Sequence, residues 1–323
     1  MKKALSVLLT LLVMAGVIAA APVMASAATW TASNATELAA ALSSAASGDT
    51  IKLLADITYT STILIDGNTV TFDLNGKTLE LTNWLDVRGG GSLLLADPNN
   101  GAFNVTYKST VIAVVEVHAN SRAEISNVAV TTTASNTALY AHGANAEIMV
   151  YGNVTHTSTT GTGVWVDTGA NVTVGGAITV PVGAQYIQLE STAKTQAQYT
   201  APTTKPGYLT YTDGTNTVWV RERFAVTVSN GTGSGNYAAG ETVSIAAIVP
   251  AGKVFDGWAV AGAALANPAS ASTIFVMPAN AVTAVASFKD APVTPPKTIF
   301  NTGRAATFLN WILFIVCFGW LWM

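Results

Sequence analysis

The stretch L-D-V-R-G-G-G-S beginning at Leu85 returns as V-E-V-H-A-N-S at Val115, L-Y-A-H-G-A-N at Leu139 and V-W-V-D-T-G-A-N at Val164. Each copy alternates apolar and polar residues, breaks at a small-residue turn and leads into a second apolar run such as Ala146 to Val150. Alternation with a period of two is the pattern of a strand that buries one face. A strand-and-turn unit recurring every 20 to 30 residues or so cannot cover that face alone, but stacked copies can, and the result is a solenoid. The expected fold class is therefore all-β: a parallel β-helix, right-handed by the default of parallel crossovers.

The alternation also sorts side chains by face. If Val115, Val117, Leu139, Ala141, Val164 and Val166 fill the interior, two outward columns follow. One reads Asp86, Glu116, Tyr140, Trp165, and the other Arg88, His118, His142, Asp167, preceded by Asp66. Neighbouring coils lie about 4.8 Å apart, so Tyr140 and Trp165 should be neighbours beside His142 and Asp167. An aromatic pair flanked by hydrogen-bonding groups is a candidate platform for a sugar, which makes Tyr140, Trp165, His118, His142, Asp167 and Arg88 the candidate ligand-binding residues. The same columns are equally expected from cross-strand pairing that only stabilises the sheet. Asp86 and Glu116 are the candidate acid/base pair of an enzyme, since adjacent coils bring carboxyls near the separation of about 5 Å used by retaining glycosidases. Glu124 and Glu147, read as equivalent on the second strand, meet the same criterion, so the spacing discriminates little.

Working outward, intervals between equivalent positions are 22 residues from Asp66 to Arg88, 30 to His118, 24 to His142 and 25 to Asp167. The long interval assigns an insertion to Asn99–Tyr107. Upstream, strands are expected at Thr50–Leu54, Thr62–Ile65, Val70–Leu74 and Thr78–Leu81, separated by Asp66-Gly67-Asn68 and Asn75-Gly76-Lys77 turns. The spacing over Asn34–Ala46 predicts a helix, with Asn34 as N-cap, Glu37 completing a capping box, Leu38 and Leu42 on one face and Gly48 as the stop. Such a helix would cover the open end of the solenoid. The phrase F-D-L-N-G-K-T-L at Phe72–Leu79 resembles the opening coils of bacterial surface proteins with pectate-lyase-like right-handed β-helices, a resemblance spanning about residues 28–200.

Beyond Val180 the coils fade, and Tyr208–Val220 alternates around Asp213-Gly214 as a hairpin, assigned to a connector over 201–222. A second module follows at 223–289. Its phrases Gly240-Glu241, Pro250-Ala251-Gly252, Phe255-Asp256-Gly257-Trp258 and Met277-Pro278-Ala279-Asn280 resemble the divergent internalin-B-type bacterial repeat. The resemblance implies a small, mostly β unit used as a spacer or interaction module.

The ends read as addressing segments. Lys2 and Lys3, an apolar run and Ala25-Ser26-Ala27 form a secretory signal over 1–27. A Pro-containing linker at 290–304 precedes Ala305–Met323, 19 residues without a charge, read as a single-pass transmembrane anchor with tryptophans near its ends. Pro295-Pro296-Lys297-Thr298 is similar to clostridial sorting signals, although Ile299 replaces the glycine and no basic tail follows.

Composition removes several function classes. Charged residues make up only 10% of the chain and the net charge is −3, which leaves no electrostatic footprint for nucleic acid. The one cysteine, Cys317, staples neither domain, and three histidines with one cysteine fit no linear zinc motif, so no metal and no cofactor is expected. His156 stands apart as a solvated turn or strand residue. The glycines at 231, 233 and 235 lack the following helix that a phosphate loop needs. The functional expectation is an exported, membrane-anchored bacterial surface protein that binds a glycan or a host or neighbouring-cell surface. The alternatives are a polysaccharide lyase or glycoside hydrolase, and a structural envelope protein without a ligand.

Overall fold

The computed structural model describes residues 26–107, 112–131 and 134–292. The chain divides after Arg223 into two compact units, each taken by itself below.

The first unit is a parallel β-helix with three strands per coil. One coil runs Thr50–Leu53, Ile57–Tyr59, Ile63–Asp66, and the next begins at Thr69–Asp73. Like strands of successive coils stack into three walls of nine, six and seven strands. Each backbone N–H and C=O in a wall is satisfied by the coil on either side, so the fold can turn its side chains strictly in or out. The inward columns of the seven-stranded wall are apolar at their centre: Leu85, Val87, Val115, Val117, Leu139, Ala141, Val164 and Val166 are fully buried. Phe72 and Phe103 pack at 5.3 Å between ring centroids inside the same core.

Both ends of the stack are closed. Thr29–Ala32 pairs parallel with Thr50–Leu53, and the helix Ala35–Ser44 follows it. Leu38 and Ala41 of that helix are buried over the first coil. Asn34 Oδ1 accepts from Glu37 N at 3.0 Å, and Glu37 returns a carboxylate to Ser33 N at 2.8 Å, one residue ahead of the expected box partner. The helix ends at Ser44 with Ala45 as its cap, before the expected stop at Gly48. Asp49 ties the first coil together by accepting from Ala28 N, Ala46 N and Trp30 Nε1 at 2.7–3.0 Å.

At the other end, Thr217–Arg221 pairs parallel with Asn171–Val174, and Tyr208–Thr212 turns back antiparallel beside it. The hairpin read from the sequence as a connector is therefore the last layer of the nine-stranded wall. Tyr211, fully buried, is its plug. The long coil also differs from expectation. Ala102–Tyr107 is an ordinary wall strand in register with Thr78–Leu81, and the added length flanks it.

The second unit holds two small sheets. Arg223–Ser229 lies parallel to Val282–Asp290, which pairs antiparallel with Lys253–Ala261. Thr242–Ala247 pairs antiparallel with Ser272–Val276. Val226, Val243, Ile245, Phe275, Met277 and Val282 form its core. A register shift between Phe255 and Gly257 bends the long strand beside Trp258, whose Nε1 donates to Ser270 O at 3.0 Å.

The expected C-terminal transmembrane helix requires correction. Among the described residues the single helix has ten residues, and no helix is long and apolar enough to cross a membrane. Ten residues rise about 15 Å, half of a bilayer core. The membrane-anchored function, the membrane as a partner and the single-pass membrane location all rested on that helix, and no described helix supports them. The segment 305–323 lies outside the described residues, as does most of the export signal at 1–27.

Because the inward columns carry the burial, Leu139→Ala should lower stability by about 2–5 kcal/mol, read as a shift in the urea midpoint. An unchanged midpoint would show that the coil relaxes around the lost side chain.

Candidate functional site

The seven-stranded wall carries the outward columns in strict register. Leu64 pairs with Asp86, Asp86 with Glu116, Glu116 with Tyr140, Tyr140 with Trp165 and Trp165 with Gln188. In the second column Asp66 pairs with Arg88, and His142 with Asp167. All eight residues singled out from the sequence lie on this wall, and the structure links them into one network.

Arg88 reaches Asp66 at 3.0 Å and Asp86 at 3.5 Å. His118 Nε2 lies 3.1 Å from Asp86 Oδ1 and 3.8 Å from Glu116 Oε1, while His142 Nε2 lies 3.2 Å from that same Glu116 oxygen. Asp86 is 8% exposed. Its Oδ1 is buried without a hydrogen bond, because the His118 contact is close enough for an ion pair but outside hydrogen-bond geometry. One donor atom each from Glu116, His118 and His142 falls within 4.8 Å of the other two.

The aromatic residues form a ladder. Tyr140 stacks on Trp165 at 4.5 Å and on His142 at 4.6 Å, and His142 meets His118 edge-on at 4.3 Å. The Tyr140 hydroxyl donates to Asp167 Oδ2 at 2.8 Å. Burial, reinforced by that carboxylate, holds the phenol well above its usual pKa, so it remains a neutral donor. Trp165 is oriented by donation from Nε1 to Glu190 O at 3.1 Å. Tyr140 thus spends its ring on neighbours, whereas Trp165 ends the ladder.

Beside Trp165 lies a shallow depression of about 260 Å³, lined mainly by Ser135, Asn136, Thr137, Thr160 and Thr162. These hydroxyl and amide groups sit at the start of the wall strands. The sequence reading missed them because nothing in their order marks them as one surface. A second omission is Lys205, whose Nζ donates to Thr173 Oγ1 at 3.0 Å and lies over the Tyr208 and Trp219 rings. The aromatic alternation of the hairpin was its only signal.

Two sequence expectations change. Glu124 and Glu147 are not equivalent: Arg122 pairs with Glu147 in register, and Glu124 with Met149. Arg122 bridges both carboxylates, and Glu124 Oε2 accepts from Leu95 N at 3.0 Å, so this pair is structural. His156, expected in solvent, is 2% exposed. Its Nε2 faces Asn136 O at 3.0 Å and Asn136 Oδ1 at 2.9 Å, and its Nδ1 accepts from Ser158 N at 3.0 Å.

With this geometry in view, the comparisons with known proteins locate one part of the chain. Residues 224–292 match the divergent InlB B-repeat domain family. The match covers the described part of the second unit and agrees with the phrases around Phe255–Trp258 that suggested it. No curated protein and no solved structure matches the chain. The likeness is therefore confined to residues 224–292, and the β-helix must be interpreted from its own geometry.

The His156 environment generates a pH dependence. A ring whose Nδ1 accepts a backbone N–H must be neutral, and burial lowers its pKa despite the Asn136 bond. A lowered folded pKa makes the unfolded chain bind more protons, so this stabilisation is full above about pH 6.5 and is lost as pH falls through the folded value. Urea midpoints measured from pH 7.5 downward should fall more steeply for the parent protein than for His156→Gln. Parallel slopes would remove His156 as the cause.

Proposed function

We propose that the β-helix is a non-catalytic binding surface for a saccharide, centred on Trp165 and the depression beside it. The observation that carries this reading is the coincidence of an oriented indole with a hydroxyl- and amide-lined hollow. Sugars present apolar C–H faces and hydroxyl rims, which match an aromatic face beside short polar side chains. Tyr140 supports the indole from behind, and Asp167 fixes Tyr140. The Asp86 and Glu116 carboxylates are tied to His118, His142 and Arg88. A buried Asp86 offers no free nucleophile, which counts against the glycosidase alternative. A β-solenoid next to a divergent InlB-type repeat also supports display of a binding surface, with a glycan or a cell-surface saccharide as partner.

The full chain on a glycan array tests the reading. Binding to at least one saccharide class is expected, weakened about tenfold or more by Trp165→Ala, equivalent to about 1.4 kcal/mol. Product release from pectin or related polymers that disappears in Glu116→Gln would replace it with an enzymatic one. Silence on the array would leave the wall as structure alone.

A further inference from the structure

We propose that Glu116, His118 and His142 bind a divalent first-row transition-metal ion, with zinc as the reference ion. This does not rest on the saccharide reading, because Trp165 and its depression contribute no donor.

The donor set has the chemistry for such an ion. Two imidazoles and one carboxylate suit zinc and its neighbours, whereas calcium takes six to eight oxygens. The distances fit as well. Bonds of about 2.0–2.1 Å in a tetrahedron separate donors by about 3.3 Å. His142 Nε2 and Glu116 Oε1 stand 3.2 Å apart, and His118 Nε2 is 3.8 Å from that oxygen. The rings are held before any ion arrives: His142 stacks on Tyr140 and abuts His118. Side-chain exposures of 17% for Glu116, 32% for His118 and 28% for His142 leave a path from solvent and room for a water ligand.

An independent observation also points to a cation. Asp86 Oδ1 is buried without a hydrogen bond, 3.1 Å from His118 Nε2. A buried carboxylate oxygen without a donor is costly unless positive charge stands near it. Along the two columns Asp66, Asp86, Glu116 and Asp167 face a single guanidinium, Arg88, whose contacts go to Asp66 and Asp86. An ion at the histidine pair would supply charge at the open end of this row, close to the unpartnered Asp86 Oδ1, which lies 3.1 Å from the ligating His118 Nε2. The arrangement is absent from any linear motif. His118 and His142 come from different coils and meet only because the coils stack in register.

The test uses the full chain, prepared without a polyhistidine tag and stripped with chelator. Equilibrium dialysis against zinc chloride should saturate at about one ion per chain, and added cobalt(II) should give ligand-field bands of a four-coordinate site. His118→Asn/His142→Asn should weaken binding by at least about 100-fold, and Asp86→Asn by about 10–100-fold. Millimolar calcium should leave zinc binding unchanged. Circular dichroism checks each fold. If the double variant fails to fold, Glu116→Gln decides, with weakened binding expected. Substoichiometric zinc in the parent, or undiminished binding in the folded histidine double variant or in Glu116→Gln, overturns the proposal.

Discussion

The β-helix depends on one constraint: parallel strands of successive coils stay in register over the whole stack. Hydrogen bonding between coils consumes the backbone polar groups and fixes a spacing of about 4.8 Å between equivalent side chains. A slip by one residue would turn every valine and leucine of a strand outward. Full burial of both inner columns shows how strongly the pattern resists such a slip. The same constraint leaves two open ends, where unpaired strand edges would invite further stacking. The helix Ala35–Ser44 closes one end, and the hairpin built on Tyr211 closes the other.

Register also dictates the electrostatics of the outer surface. Identical positions on successive coils are forced together, so a carboxylate placed there has the next coil's side chain as its neighbour. Asp86 above Glu116 would be a like-charge contact, which is destabilising across a sheet. Arg88 and the two histidines lie in the adjoining column and share the contacts to these carboxylates among them. The aromatic ladder occupies the coils that follow, where stacking replaces ion pairing. One wall thus changes from charged to aromatic along its length.

The repeat domain follows another logic. Its sheets are short and partly antiparallel, and its small core centres on Val243 and Phe275. The family match is confined to this unit. That is physically reasonable, because its bulge, its glycines and Trp258 each occupy a position few other residues can fill. Solenoid coils accept many apolar sequences of the same periodicity, so they carry little that identifies a lineage.

The periodic architecture, the two outward columns and the capping helix are legible in the sequence, because alternation, interval and capping residues are local signals. The sequence also placed Tyr140 beside Trp165, since equal spacing along the chain becomes adjacency once the coils stack. Tertiary structure decided the rest. The number of walls depended on Ile57–Tyr59, too short to stand out. The hairpin after Pro206 joined the solenoid because Thr217–Arg221 found an unpaired edge at Asn171–Val174. His156 went inside because Asn136, twenty residues away, supplies its partner. The ring faces of Tyr140, the unpartnered oxygen of Asp86 and the convergence of His118 and His142 on Glu116 depend on side-chain orientation. Alternation sets the side of the sheet a residue occupies, but only packing against the neighbouring coil sets where its atoms point.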